Sequence, residues 1–458
     1  MKTITSIAVL VFLGLTVAIA ADAPDSTKLS ALAHDATSTD SAQSSKAIAQ
    51  LRAAGPAGLD AMFQVYGERI NQQLSGAPAR DAAWEQLHDA LDAIAQQRDC
   101  YASHLYWFTN LDDAKSAARA AGKPILSLRL LGRLNEEYTC ANSRFFRTTL
   151  YPNAQVSQYL RDHFILHWQS VRPVPRITID MGDGRCIERT ITGNSIHYVL
   201  DSDGNPIDAL PGLYGAKAFL AELDRAITAE QQASQLSGPT REAFLRNYHS
   251  TRLTENQRQL SQDLAQVTPT PTPPVLGSSS NPGQRPDAIA AARLAGAKSR
   301  VEVPLLRRGA QDPSTLNLDR LDAPSSDVAW KLIAALHYDD ARLDPAAVRL
   351  IQYKQPPSAA AAAIRATTKA IIETPMVRML RNLQSSIAED TVRNEYQLHS
   401  QIHEWFANGT APTTLDALNS KIYAQLFLTP DSDPWLGLAP SDVFSALDGG
   451  GLVQNKNP

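Results

Sequence analysis

Two constellations in this chain carry residue types able to do chemistry. The first is Thr139-Cys140-Ala141-Asn142-Ser143. A cysteine thiolate attacks a disulfide and forms a mixed disulfide, which a second thiol three residues on then releases. Here that second position is Ser143, whose hydroxyl is far too weak an acid for the resolving step. Cys140 is therefore restricted to one mixed disulfide, formed or exchanged, or to a structural role. The second constellation is Glu395-x3-His399-x3-His403-Glu404. Residues four apart share a helix face, so two imidazoles and the Glu395 carboxylate can reach one metal ion. The order differs from the His-Glu-x2-His of zinc proteases, which puts the general base between the ligands. The competing reading is an ordinary helix whose Tyr396, Ile402 and Phe406 bury one side and leave the histidines at its border.

The chain has three cysteines, Cys100, Cys140 and Cys186. The number is odd, so at least one thiol stays free or pairs outside the chain. Cys100 and Cys186 fit either as partners for Cys140 or as small buried apolar groups. No Gly-x-Ser-x-Gly, phosphate loop or Gly-x-Gly-x-x-Gly is present, so no cofactor is expected, and serine hydrolysis and phosphotransfer lack support. Asp201-Ser202-Asp203-Gly204 begins like a calcium loop but lacks the remainder, which leaves a hairpin turn. A formal net charge of −4 without a basic stripe argues against nucleic acid as a partner.

The elements that must hold these residues follow from periodicity. Lys2, the short apolar run Ile7–Leu15 and the small-x-small triplet Ala18-Ile19-Ala20 predict a signal peptide over 1–21. The mature protein is then periplasmic or secreted and free of the membrane after cleavage. Residues 22–99 read as a helical region broken at Gly55-Pro56-Ala57-Gly58. Leu111–Ala121 predicts a helix ending at Gly122, and Pro124 turns the chain into an apolar strand, Ile125–Leu131. Two hairpins are predicted, Arg176–Asp180 with Cys186–Thr192, and Ile196–Leu200 with Pro206–Leu210. Ala216–Glu230 is a closing helix, and residues 236–265 form a further one. The Thr-Pro repeat and Gly/Ser run at 266–286 predict an extended linker. Residues 287–458 read as a mostly helical C-terminal domain, with Arg378–Ala407 its strongest helix.

Residues 106–224 resemble the thioredoxin-like domains of exported bacterial proteins, with a degenerate Cys-x-x-Ser motif. The resemblance is carried by Trp107, Gly122-Lys123-Pro124-Ile125-Leu126, Thr139-Cys140, the helix Gln155–Asp162 leading to Phe164-Ile165-Leu166, and Tyr198-Val199-Leu200-Asp201-Ser202-Asp203-Gly204. It implies that Cys140 stands at a helix N-terminus, where the macrodipole favours the thiolate. It also implies that Ser195 lines the substrate groove, because relatives carry a cis-proline there whose backbone contacts the bound peptide. A cis bond before serine costs about 2.5–4 kcal/mol, so a trans bond and a reshaped groove are expected.

The expected fold class is thus α+β with α/β character: a thioredoxin-like domain at 100–235 flanked by N-terminal helices and a helical C-terminal domain. The expected function is an exported thioredoxin-like protein without dithiol oxidoreductase activity, at most a monothiol acting through Cys140 with Ser143 beside it. The alternatives are a non-catalytic binding or assembly module, or a metal-binding helical domain around Glu395, His399 and His403. Enzymatic activity is left open. The expected partner is another exported protein, met through a thiol or a helical surface.

Overall fold

A computed structural model describes residues 26–75, 81–190, 194–267, 327–354, 369–429 and Ser432. The signal-peptide reading and all but the first two residues of the linker lie outside the described residues.

The chain starts with four helices: α1 (Ser26–Ala36), α2 (Ser41–Ala53), α3 (Pro56–Ser75) and α4 (Ala82–Ala95). Asp40 caps α2 by accepting from the Ala42 and Gln43 N–H groups, and Asp81 caps α4 through Trp84 N–H. Gly58 lets α3 close on α2, since a Cβ there would overlap the Leu51 carbonyl. These helices share an apolar cluster of their own, which takes in Leu51, Met62, Trp84, Leu91, Cys100 and Tyr101.

Helix α5 (Leu111–Ala121) is capped by Asn110 and stops at Gly122 in the left-handed conformation, φ 63°. Strand β1 (Ile125–Leu131) is buried at every position, as an apolar run covered on both faces must be. A short helix α6 (Ala141–Phe145), a π-helical turn (Phe146–Leu150) and α7 (Ala154–His163) then cross over to β2 (Ile165–Arg172), which pairs parallel to β1. Such a parallel return needs a crossover of this length. Strands β3 (Arg176–Asp180) and β4 (Cys186–Thr190) form a separate two-stranded ribbon. The hairpin β5 (Ser195–Leu200) and β6 (Pro206–Pro211) completes the main sheet in the order β2-β1-β5-β6, with β5 antiparallel to both neighbours. Helix α8 (Ala216–Ala233) packs back on β5 and β6. The class is α+β: a largely helical chain around one small mixed sheet.

The remaining helices are α9 (Gly238–Val267), α10 (Asp327–Leu336), α11 (Pro345–Lys354), α12 (Lys369–Arg393), α13 (Ser400–Ala407) and α14 (Leu415–Gln425). A π-helical stretch, Asn394–His399, joins α12 to α13, where the sequence reads as one uninterrupted α-helix. The helices do not build a separate core. Ile387, Ile402, Leu418, Ile422 and Tyr423 enter the same apolar cluster as Leu126, Ile196, Tyr198 and Leu210 of the sheet. Close approach is also built into the β6–α8 loop. A Cβ on Gly212 would meet the Asn394 amide, and one on Gly215 the Asp340 carbonyl. Asn394 donates to Leu213 O at 2.8 Å, and Gly215 N–H donates to Thr391 Oγ1 at 2.8 Å. No helix among the described residues is long and apolar enough to cross a membrane.

Candidate functional site

Cys140 is the residue immediately before α6, and its side chain makes no capping bond. Its N–H and the Thr139 hydroxyl both donate to Leu131 O at 3.1 Å, where the β1–β2 register slips. Thr190 of β4 donates to Thr139 O at 2.9 Å. The Cys140 Sγ lies 3.0 Å from Ser195 Oγ. All three cysteines are free thiols: Cys140 and Cys100 are sealed at 0% exposure, and Cys186 is exposed on the β3–β4 ribbon. The pairing of Cys140 with Cys100 or Cys186 is therefore replaced by a bond to a serine hydroxyl. Burial, with Asp92 beside it, pushes the Cys100 thiol well above its ordinary range, which makes it inert. Ser143 is also sealed, and its hydroxyl finds no hydrogen-bond partner among the described residues.

The groove expected at Ser195 is filled by the chain itself. Tyr423 of α14 donates to Asn194 O at 3.0 Å, and the Asn194 amide donates to Thr429 Oγ1 at 3.1 Å. Tyr198 donates to Asn419 at 3.0 Å, and Arg129 reaches Asp416 at 3.3 Å. Arg172 donates to Thr429 O. Ser195 is thus a buried internal contact of Cys140, not an accessible groove residue. The physical reason is that α14 and the turn after it cover the open end of β5. No cis peptide bond occurs among the described residues.

The second constellation sits deep between sheet and helices. His399 and His403 are both at 0% exposure, not at the border of an apolar face. Their rings lie 4.0 Å apart. His399 is held between two carboxylates, Nε2 at 3.0 Å from Asp208 Oδ1 and Nδ1 at 2.9 Å from Glu395 Oε2. His249 of α9 places its Nδ1 at 2.9 Å from His403 Nδ1 and stacks on Phe406. The outer contacts fix the carboxylates. Tyr248 donates to Asp208 Oδ2 at 2.6 Å. Asn256 and Tyr214 donate to Glu395 at 2.8 and 3.1 Å. Arg252 bridges Glu222 at 2.9 Å and Glu395 at 3.3 Å.

The electrostatics follow from this packing. Burial alone would drive His399 down, but Glu395 and Asp208 outweigh it and raise it to about 10, so it is a cation. Burial and the neighbouring His399 charge push His403 well below its ordinary value. Burial lowers His249 to about 4. Burial would raise Glu395, yet His399 and Arg252 hold it at about 2. Burial and the Glu395 charge lift Glu222 to about 7.

Sequence spacing brought Glu395, His399 and His403 together, but it missed Asp208, His249 and Arg252. One signal was available. Asp208 is a lone carboxylate inside the apolar run Ile207-Asp208-Ala209-Leu210, and a buried charge implies a buried counter-charge. His337 stands outside this cluster and bonds Asp263 at 2.8 Å. No family model, curated protein or solved structure matches this chain.

Proposed function

We propose that this is an exported thioredoxin-like protein whose thioredoxin-like unit is a non-catalytic scaffold, serving binding or assembly through its helical layers. The observation that carries this reading is the complete burial of Cys140 beneath Tyr423 and the Asn194–Thr429 contact. A thiol that exchanges with a protein disulfide must meet a sulfur in line, and a sealed Sγ offers no approach. A parallel β-helix-β unit followed by an antiparallel hairpin and a helix, in the strand order described, supports the thioredoxin-like part. So does the place of Cys140 directly before α6. Ser143, without a resolving thiol, supports the absence of dithiol chemistry.

The test is thiol labelling of the full mature chain. Maleimide is expected to modify Cys186 at the rate of an exposed thiol, and Cys140 only after unfolding. Labelling of native Cys140 at the rate of an unfolded control, or a disulfide-reducing activity abolished by Cys140→Ser, would sink the scaffold reading and restore the monothiol one.

A further inference from the structure

We propose that Asp208, His249 and His403 form a binding site for one divalent transition-metal ion of the zinc class, which joins β6, α9 and α13. The three ligand atoms lie within 4.8 Å of one another, and all three residues are buried. The set differs from the one that helix spacing suggests.

The argument begins with the contact between the two imidazoles. The Nδ1 atoms of His249 and His403 face each other at 2.9 Å. A neutral imidazole has one N–H and one lone pair. Both rings are sealed from solvent, and burial favours the uncharged imidazole. A single proton between the two Nδ1 atoms leaves the outer nitrogens in opposite states, one with a hydrogen and one without. Neither Nε2 has a hydrogen-bond partner among the described residues. A metal ion takes the lone pairs of both Nδ1 atoms at once and places both hydrogens on Nε2.

The third ligand is already prepared. Asp208 Oδ1 lies 3.9 Å from His403 Nδ1. Tyr248, His399 and the Ala209 N–H hold this carboxylate ionised and oriented. Glu395 is less suited to ligate, because each of its oxygens already accepts two hydrogen bonds, from Asn256 and Arg252 on Oε1 and from Tyr214 and His399 on Oε2, whereas Asp208 Oδ2 accepts from Tyr248 alone among the described residues. His399 has both ring nitrogens committed to carboxylates. These two residues therefore position the site. Two imidazoles and one carboxylate suit zinc, nickel, cobalt or iron, and not calcium or magnesium, which take oxygen ligands. Burial at all three ligands fits an ion that fastens elements together more than one that opens to substrate.

The experiment uses the full mature chain, purified without a metal-affinity tag, stripped by chelator and titrated with zinc and with cobalt. One ion per chain is expected, with a rise in melting temperature. The cobalt complex should show d–d bands and no thiolate charge-transfer band. His249→Gln and His403→Gln are expected to weaken binding at least about tenfold, and Cys186→Ser to leave it unchanged. If either histidine variant fails to fold, the wild-type stoichiometry and cobalt spectrum decide. A folded chain that takes up no zinc at micromolar concentrations, or binding that survives both histidine substitutions in folded variants, would reduce the cluster to a hydrogen-bonded network only and overturn the proposal. Neither outcome bears on whether Cys140 is sealed, so this inference and the scaffold reading fail separately.

Discussion

Tyr423 and Asn194, separated by 229 positions in the chain, meet through a hydrogen bond of 3.0 Å from the phenol to the backbone carbonyl. Both residues are buried. The bond ties the last described helix to the residue that precedes Ser195, and Ser195 in turn touches Cys140. The state of the thiol therefore depends on a contact made by the far end of the chain.

That dependence can be measured. Tyr423→Phe keeps the ring and removes the donor of the bond to Asn194 O. The expected loss is about 0.5–1.5 kcal/mol, read by urea denaturation. Because the lid over Cys140 is weakened, maleimide labelling of Cys140 should accelerate in the variant while Cys186 labelling stays constant. Equal Cys140 rates in both proteins would show that Tyr423 is not part of the lid.

The Glu395–His399–Asp208 chain predicts a larger effect. Removing one partner of a buried ion pair leaves the other charge without compensation, at a cost of about 3–5 kcal/mol. Glu395→Gln keeps the shape and removes the charge, so His399 loses one of two carboxylates and Arg252 one of three. A double-mutant cycle with His399→Gln should be strongly non-additive, because the second substitution removes the cation that the first left exposed. Additive losses would mean that the two side chains are energetically separate.

How much of this was readable beforehand depends on sequence distance. Strand β1 was legible because Pro124 precedes an apolar run, and α5 because Gly122 stops it. The hairpin at Asp201–Gly204 was legible from its turn residues. Glu395, His399 and His403 were legible as one helix face. Their partners were not. His249 meets His403 across 154 positions and Asp208 meets His399 across 191, and no periodicity encodes which distant elements pack together. The burial of Cys140 was illegible for the same reason. A cysteine at a helix start looks alike in sequence whether it is open or covered by a tyrosine from α14. The π-helical turn at Asn394–His399 also escaped, since the residues there have ordinary helix propensities.

His337 predicts a pH dependence away from that cluster. Hydrogen bonds to Asp263 and Asp340 raise it to about 9, against about 6.5 for an unperturbed histidine. The folded state therefore holds the proton more tightly than the unfolded one. Its stabilising contribution is complete below about pH 6.5, declines as pH rises, and is gone above about pH 9, with an upper bound of about 3 kcal/mol. Asp263 and Asp340 are held below the carboxylate range by the same contacts, so their contribution disappears instead as pH falls through acid values. Urea midpoints measured from pH 6 to pH 9.5 should fall for the wild type. His337→Gln should start lower and show a flatter profile. Parallel slopes in the two proteins would remove His337 as the source.

The N-terminal helices offer a test of packing alone. Gly58 lies where α3 crosses α2, and a Cβ built there would overlap Leu51 O, a backbone atom that cannot rotate away. Alanine would gain up to about 1 kcal/mol in helix propensity over glycine, but overpacking costs about 1–3 kcal/mol when the backbone itself must shift. The steric term prevails because the clash is with the main chain of a neighbouring helix. Gly58→Ala is expected to lower the urea midpoint, whereas Gly67→Ala, on the same helix and with open space around its Cα, is expected to raise it. A stabilised Gly58→Ala protein would show that α2 and α3 sit farther apart than this geometry has them.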